Sequence, residues 1–177
     1  KDMISSRHPY TDVHVELLSG GGWTLKRHWQ EGKALSRINQ RQWDYVVLQE
    51  QSMLGSMILI SGKRYIKSFD TFFDYGTRFS NAIKKSGAQP LLFMTWHDRD
   101  APEQQQLLSK AYWQLANKLE VRVIPSGIIW AQLHQSSSLN LYADSIHPSG
   151  HGSYLAAASI FTSILDESPV GLPSVLK

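Results

Sequence analysis

The spacing of apolar residues alternates between two periods along this chain. Short apolar runs rich in β-branched residues predict strands at 13–18, 44–49, 90–96 and 121–125. Between them, apolar residues recur at three- and four-residue intervals and predict helices at 24–40, 64–85, 102–119, 127–134 and 149–165. Alternating strands and helices predict a parallel sheet covered by helices on both faces, which is a three-layer α/β/α sandwich.

Composition limits the class of protein. The chain has 177 residues, of which 42% are apolar, so we expect residues 1–177 to form a single domain with a buried core. The net charge is only +3 and the basic residues are scattered, which argues against nucleic acid as a partner. No apolar run is long enough to predict a membrane span. The absence of cysteine excludes a thiolate nucleophile and weakly favours a secreted or periplasmic protein.

The segment YADSIHP, 142–148, places an acid three residues before a histidine. Pro148 disfavours helical geometry at His147 and suits the start of a helix, so the ring of His147 is expected on a loop. An Asp on the same turn can accept a hydrogen bond from Nδ1 of that ring, which leaves Nε2 free to act as a base. Asp144 and His147 are therefore candidates for the acid and base of a hydrolytic triad. The alternative is an Asp-mediated turn beside a surface histidine.

The same region gives little support for a metal site. His151 follows His147 by four residues, which is the spacing of two metal ligands on one helix face. Pro148 interrupts that helix, however, and the sequence offers no obvious third ligand. We therefore expect neither a metal nor a cofactor.

Two further segments place polar or glycine-rich chemistry at the ends of predicted strands, where parallel α/β sheets bind their ligands. SGGGWTL (19–25) contains consecutive glycines whose N–H groups can approach a ligand closely, although taken alone it is explained more simply as a turn capped by Thr24. VVLQEQS (46–52) ends a buried strand with the amides of Gln49 and Gln51. A side-chain amide at that place is a good donor to a developing oxyanion.

Together, the segments GGGWTL, DYVVLQEQS, PLLFMTW and LYADSIHPSGHGSYLAA resemble the SGNH/GDSL hydrolase superfamily, and in particular its bacterial branch of esterases with a VVLQEQS-type strand. The resemblance covers most of the chain and implies a flavodoxin-like sandwich. It implies that Asp144 and His147 are the acid and base and that Gly22 donates its N–H to an oxyanion hole. Gln51 falls where the superfamily has the Asn of a Gly-x-Asn-Asp block. The longer side chain of Gln51, or that of Gln49, is thus the implied further donor.

The nucleophile that the resemblance implies is a serine in a Gly-Asp-Ser or Gly-Asn-Ser turn after the first strand. Nothing before Val13 matches that turn. Ser5 and Ser6 resemble the end of the helix that would follow it, and Ser19 lies where the motif places the second strand. We therefore expect the nucleophile to lie upstream of Lys1.

The resemblance also places the nucleophile strand in the middle of the sheet, between 13–18 and 44–49. Without that strand, both of its neighbours would leave a row of backbone groups unpaired. Three explanations are open: a preceding N-terminal segment, which we favour, a second chain that supplies the strand, or a different strand order.

The expected function is that of a serine esterase that cleaves a small-molecule or carbohydrate ester. Trp23 and Trp96, with His97, are candidates to stack on a sugar, in keeping with the substrates of the family. The apolar stretch 53–62 is expected to line an acyl pocket, to form a lid, or simply to pack on the core. Acyl transfer to an alcohol would use the same triad. The alternative from another class is a degenerate, non-catalytic module that binds carbohydrate or a protein partner.

Overall fold

A computed structural model describes residues 1–173, in which helices and strands alternate. The helices are α1 (Asp2–Arg7), α2 (Leu25–Glu31), α3 (Lys33–Gln40), α4 (Asp70–Lys85), α5 (Gln104–Leu119), α6 (Ser126–Ser136) and α7 (Gly150–Leu165). The strands are β1 (Tyr45–Leu48), β2 (Met57–Ile60), β3 (Lys63–Ile66), β4 (Gln89–Phe93) and β5 (Arg122–Ile124). No helix in the described part of the chain is long and apolar enough to cross a membrane.

The sheet that organises the fold is parallel and has three strands in the order β1-β4-β5. Side chains alternate along β4, so that Leu92 faces the core formed with α4 and α5, while Leu91 and Phe93 face α7 through residues such as Ile160. Both faces are therefore covered by helices. The predicted three-layer α/β/α sandwich is confirmed.

The larger of the two helical layers is packed by aromatic residues at helical spacing. Phe72 and Phe79 of α4 are almost completely buried, and the ring of Phe72 lies 4.6 Å from that of Tyr112 on α5. Large aromatic side chains contribute much of the buried apolar area in a core. This packing fixes α4 and α5 against the sheet. The packed sheet and helices in turn position the loops that follow β1 and β4.

Two predicted helices differ from the observed ones. The helix expected at 24–40 is broken at Gly32, whose φ of 71° is left-handed, so that α2 and α3 are separate. The helix expected at 64–85 begins only at Asp70, because 63–66 form β3 and pair with β2 in an antiparallel hairpin. A four-residue strand carries too short a pattern to distinguish it from one helical turn.

The strand predicted at 13–18 is wrong. These residues have no regular secondary structure, their backbone pairs with no strand within residues 1–173, and Val15 and Leu17 are 61% and 86% exposed. Strand β1, which pairs only with β4 in residues 1–173, lies at the edge of the sheet and leaves Val47 39% exposed. A segment becomes a strand only when another backbone satisfies its N–H and C=O groups, and the described part of the chain offers 13–18 no such neighbour.

Candidate active site

Asp144 and His147 form a closed turn at the entrance to α7. Asp144 Oδ1 accepts the backbone N–H groups of Ile146 and His147, each at 2.7 Å, while Oδ2 lies 2.7 Å from Nδ1 of the His147 ring. The backbone N–H groups of His147 and Ile146, followed by the His147 side chain, hold the pKa of the Asp144 carboxyl well below its usual range. Since an ionised carboxylate can only accept, Nδ1 carries the proton and Nε2 is left as a base.

Residues from the loop after β4 hold this turn in place. The indole Nε1 of Trp96 donates to the carbonyl of Ile146 at 3.0 Å, and the backbone N–H of Arg99 donates to the carbonyl of Ser145 at 2.8 Å. Beneath Trp96, the ring of Trp130 is stacked at 4.0 Å with an interplanar angle of 7°. The turn is thus anchored to the carboxyl end of β4, although its own side chains are exposed.

The start of α7 fixes the other side of the turn. Ser149 caps the helix by accepting the N–H of Gly152, and its hydroxyl donates to the carbonyl of Asn140. A Cβ at Gly152 would lie 2.3 Å from the carbonyl oxygen of Leu141 and 2.3 Å from the ring of Trp130. Glycine is therefore required there, because the helix begins in direct contact with the backbone that leads into the turn.

The predicted nucleophile candidates are not brought to this base. Among residues 1–173, no hydroxyl forms a hydrogen bond with Nε2 of His147, whose side chain is 70% exposed. Ser5 and Ser6 lie in α1, where the Ser6 hydroxyl donates to the carbonyl of Met3, and Ser19 lies exposed in the unpaired segment.

The glycine-rich segment forms a tight turn before α2. The N–H of Trp23 donates to the carbonyl of Gly20 at 3.0 Å, and Gly22 has a left-handed φ of 67°. No acceptor for the Gly22 N–H is found in the described chain, so this N–H is available to an anion. The Trp23 ring packs over Gly20 and lies 4.9 Å from the ring of His28, so it is half-buried against its own helix.

The two candidate amides after β1 differ in their surroundings. Gln51 Oε1 accepts the backbone N–H of Met53 at 2.8 Å, and its amide nitrogen lies 3.3 Å from the hydroxyl of Ser52. Gln49 is exposed, and within residues 1–173 its side chain makes no hydrogen bond. The side chain of Gln51 is thus held in one orientation, and one hydrogen of its NH₂ group has no acceptor in the described chain. The side chain of Gln49 is free to rotate.

Between these amides, the carboxyl of Glu50 is fully buried and accepts hydrogen bonds from the backbone N–H groups of Gln51 and Leu25. Burial raises the pKa of Glu50 to about 7, although those N–H groups lower it. Sequence reasoning gave Glu50 no role. The only signal available was its position, since a carboxyl directly after a buried strand is hard to explain as core.

His97, at the end of the same edge, is 1% exposed and leaves no open face for a sugar. Its Nδ1–H donates to the carbonyl of Asp98 at 2.7 Å, its carbonyl accepts the hydroxyl of Tyr142 at 2.8 Å, and burial is the main cause that lowers its pKa. Trp96 has one ring face covered by Trp130. The sugar-stacking role of Trp23 and Trp96 stays a prediction.

A cleft of about 200 Å³ lies beside the Asp144–His147 turn. It is bounded by Ser145 and Ile146 of the turn and by the ion pair of Arg64 with Asp98, whose closest atoms are 2.5 Å apart. The hairpin that supplies Arg64 corresponds to the end of the apolar stretch 53–62, in which Met57–Ile60 are all exposed. Of the stretch 53–62, only Gly62 lines this cleft, so the apolar side chains of the stretch do not form its wall.

Within residues 1–173, no group of three or more His, Asp or Glu side chains could hold a metal ion. His151 is exposed in the first turn of α7. The groups that the carboxyl edge of the sheet offers are the carboxylate of Asp144, the imidazole of His147, the N–H of Gly22 and the amides of Gln49 and Gln51.

The fold of this chain is similar to those of several solved structures. Neither a family model nor a curated protein matches the sequence. A protein from Slackia heliotrinireducens assigned to the SGNH hydrolases is 25% identical, with 81% of this chain and 80% of that chain covered and a TM-score of 0.64. The acetylxylan esterase Axe2 from Geobacillus stearothermophilus is 14% identical, with 99% and 80% covered and a TM-score of 0.70. The acetyl xylan esterase AlAXEase is 16% identical, with 84% and 79% covered and a TM-score of 0.59.

The chain therefore has the SGNH/GDSL hydrolase fold, as the resemblance of its motifs predicts. Its structural neighbours are hydrolases, which supports a hydrolase function.

Several residues that build the site escaped sequence reasoning. Trp130 supports Trp96 from α6, and Arg99 binds both the Ser145 carbonyl and, through its guanidinium, the Tyr142 carbonyl at 3.0 Å. No local pattern marks them, because their roles depend on contacts between segments far apart in the chain.

Proposed function

We propose that this protein is a serine esterase that cleaves a carboxylic ester by acyl transfer. The observation that carries the proposal is the geometry of Asp144 and His147. The carboxylate holds the ring through Nδ1 at 2.7 Å and leaves an exposed Nε2 as general base. An Asx-type turn alone would need only Oδ1, whereas here the second oxygen is committed to the imidazole.

In the proposed mechanism, Nε2 of His147 removes the proton from a serine hydroxyl as its oxygen attacks the ester carbonyl. Asp144 stabilises the imidazolium that forms. The Gly22 N–H and the amide of Gln51 or Gln49 donate to the oxyanion. The imidazolium then protonates the leaving alcohol, and water, activated by the same base, releases the acid from the acyl-enzyme.

We propose that a strand pairing with the open edge of β1 carries this serine. Two features support it: β1 has no partner on that side within residues 1–173, and Val47 of β1 leaves an apolar side chain exposed. A parallel strand inserted there would satisfy the free backbone groups of β1 and end at the carboxyl edge, near the turn of His147. The strand can come from a preceding segment of the same polypeptide or from a second chain.

The substrate class that we propose is an acetyl or other short acyl ester on a carbohydrate. Support comes from two structural neighbours named as acetylxylan esterases and from the cleft beside the turn, whose Arg64–Asp98 pair can bind vicinal hydroxyls. A second candidate is a non-catalytic module that binds carbohydrate, which is favoured by the lack of a hydroxyl on Nε2 in the described chain.

A fluorophosphonate probe separates these candidates. We expect the full-length gene product to be labelled on one serine, located by peptide mass spectrometry, because only a hydroxyl with an adjacent base attacks such a probe. His147→Ala should remove the label. A protein that binds acetylated oligosaccharide but is never labelled would establish the binding module instead.

Replacing Gly22 by Ala should lower kcat for ester cleavage by about 10²-fold, with a smaller change in KM. The reason is the φ of 67°, since a Cβ there would meet no atom within 4 Å, and only the left-handed backbone is disfavoured. Relaxation of that backbone turns the N–H away from the oxyanion. Gly21→Ala is the matched control, because it adds a Cβ in open space at an ordinary φ. Equal turnover in the two variants would exclude Gly22 as a donor.

A further inference from the structure

Glu50 is the only fully buried carboxyl in residues 1–173, and the reaction proposed above does not use it. It is the second residue after β1 and lies between Gln49 and Gln51 at the carboxyl edge of the sheet. A charged side chain in such a place is costly unless hydrogen bonds or an opposite charge compensate it. No cation contacts Glu50 in the described chain, so its hydrogen bonds must account for its presence.

Those hydrogen bonds join two segments that are distant in the chain. Oε1 accepts the N–H of Gln51 at 2.7 Å, while the N–H of Leu25 lies 3.3 Å from Oε1 and 3.2 Å from Oε2. Leu25 is the first residue of α2 and follows the glycine turn that contains Gly22. One carboxyl therefore connects the two segments that supply the proposed oxyanion donors.

The surroundings hold the carboxyl in one position. Gly55, with a φ of 67°, lies against it, since a Cβ there would be 3.6 Å from Oε2 of Glu50 and 3.2 Å from a methyl of Thr71. The Tyr112 ring of α5 is also completely buried. Burial, and after it the charge of Glu50, raises the pKa of Tyr112.

We propose that Glu50 is a positioning residue that sets the distance between the Gly22 turn and the Gln49–Gln51 segment, and so shapes the oxyanion hole. The inference rests on the proposed function. A residue that only fills the core needs volume, whereas this role needs a side-chain oxygen that accepts the N–H groups of Leu25 and Gln51. The roles are therefore separable by a substitution that keeps the volume and removes the oxygens.

The ionisation of Glu50 adds a pH dependence. Its pKa is about 7 in the folded protein against an ordinary value of 4.5, so between these values the folded state binds more protons than the unfolded state. The free energy of unfolding contributed by Glu50 therefore falls as the pH rises from about 4.5 to about 7 and is constant outside that window. Tyr112, the titratable group that faces it, stays protonated throughout.

The experiment compares Glu50→Leu, which removes the acceptors, with Glu50→Gln, which keeps one. Amide hydrogen exchange and ester turnover are measured on the full-length protein. In Glu50→Leu, protection of the Leu25 and Gln51 amides should fall by about tenfold or more while the amides of α4 and α5 keep theirs. kcat should fall by about tenfold or more with KM within about twofold, and Glu50→Gln should recover most of it.

Loss of protection spread evenly over α4 and α5, or unchanged protection at Leu25, would overturn the inference. If Glu50→Leu does not fold, Glu50→Gln decides. It should match the wild type at pH 5, where Glu50 is protonated, and show higher protection at Leu25 than the wild type at pH 8, where only the wild type carries the buried charge. Identical protection at both pH values overturns the inference. A wild type without turnover would refute the esterase, whereas the exchange data would still report on the connection between the two segments.

Discussion

Asp144→Asn is expected to lower kcat for ester cleavage by about 10⁴-fold and to leave the fold intact. Oδ1 of residue 144 is held by the N–H groups of Ile146 and His147, so the new NH₂ must take the place of Oδ2 and face Nδ1 of the ring. An NH₂ can only donate, and the ring is forced into the tautomer with its proton on Nε2. The base is then lost without any change in packing.

Kinetics on a short acyl ester and nitrogen-15 chemical shifts of the His147 ring would check this expectation. The shifts should report the exchange of tautomers directly. Asp74→Asn on α4 is the matched control, because it removes an exposed carboxylate outside the site. Turnover within a few-fold of the wild type in Asp144→Asn would remove the basis of the proposed mechanism.

Trp130→Ala is expected to reduce the free energy of unfolding by about 3–5 kcal/mol. Trp130 is 0% exposed, stacks on Trp96 at 4.0 Å and meets the ring of Tyr142 edge-on at 4.9 Å. Its removal leaves a cavity under Trp96, and the indole that donates to the Ile146 carbonyl loses its support. Activity should therefore decline together with stability, because the turn of His147 is anchored through that bond.

Urea unfolding measures the first effect and kcat at a temperature well below the transition measures the second. Trp113→Ala is the control, since that ring is 43% exposed on α5 and its loss should cost less than about 1 kcal/mol. If Trp130→Ala proved as stable as Trp113→Ala, the stacked pair of Trp96 and Trp130 would not be what holds the His147 turn in place.

The elements that the sequence predicted correctly include those with long or doubly buried patterns. α4, α5 and α7 each span 16 residues, and β4 is buried on both faces, so their patterns are sustained. The errors fall where the pattern is short. Lys63–Ile66 carries only four residues of pattern, and the break at Gly32 depends on a single left-handed residue inside an otherwise helical run.

In the candidate site, too, the local features could be predicted from the sequence and the long-range contacts could not. The pairing of Asp144 with His147 is local, since a three-residue spacing and Pro148 almost fix it, and the geometry of the turn agrees with that expectation. The connection from Glu50 to Leu25 joins residues 25 positions apart, and no spacing rule relates them. The same holds for Trp96, which reaches Ile146 across 50 positions.

By itself, the sequence determined the class of fold and the short acid–imidazole turn, because both arise from periodicity and from bonds within a few residues. Only the tertiary structure decided that 13–18 has no partner strand within residues 1–173, that Glu50 joins two loops, and that Trp130 supports the turn from below. The physical reason is that sheet pairing, burial of charge and aromatic stacking depend on which distant segments meet, and the packing of the helices around the sheet sets those meetings.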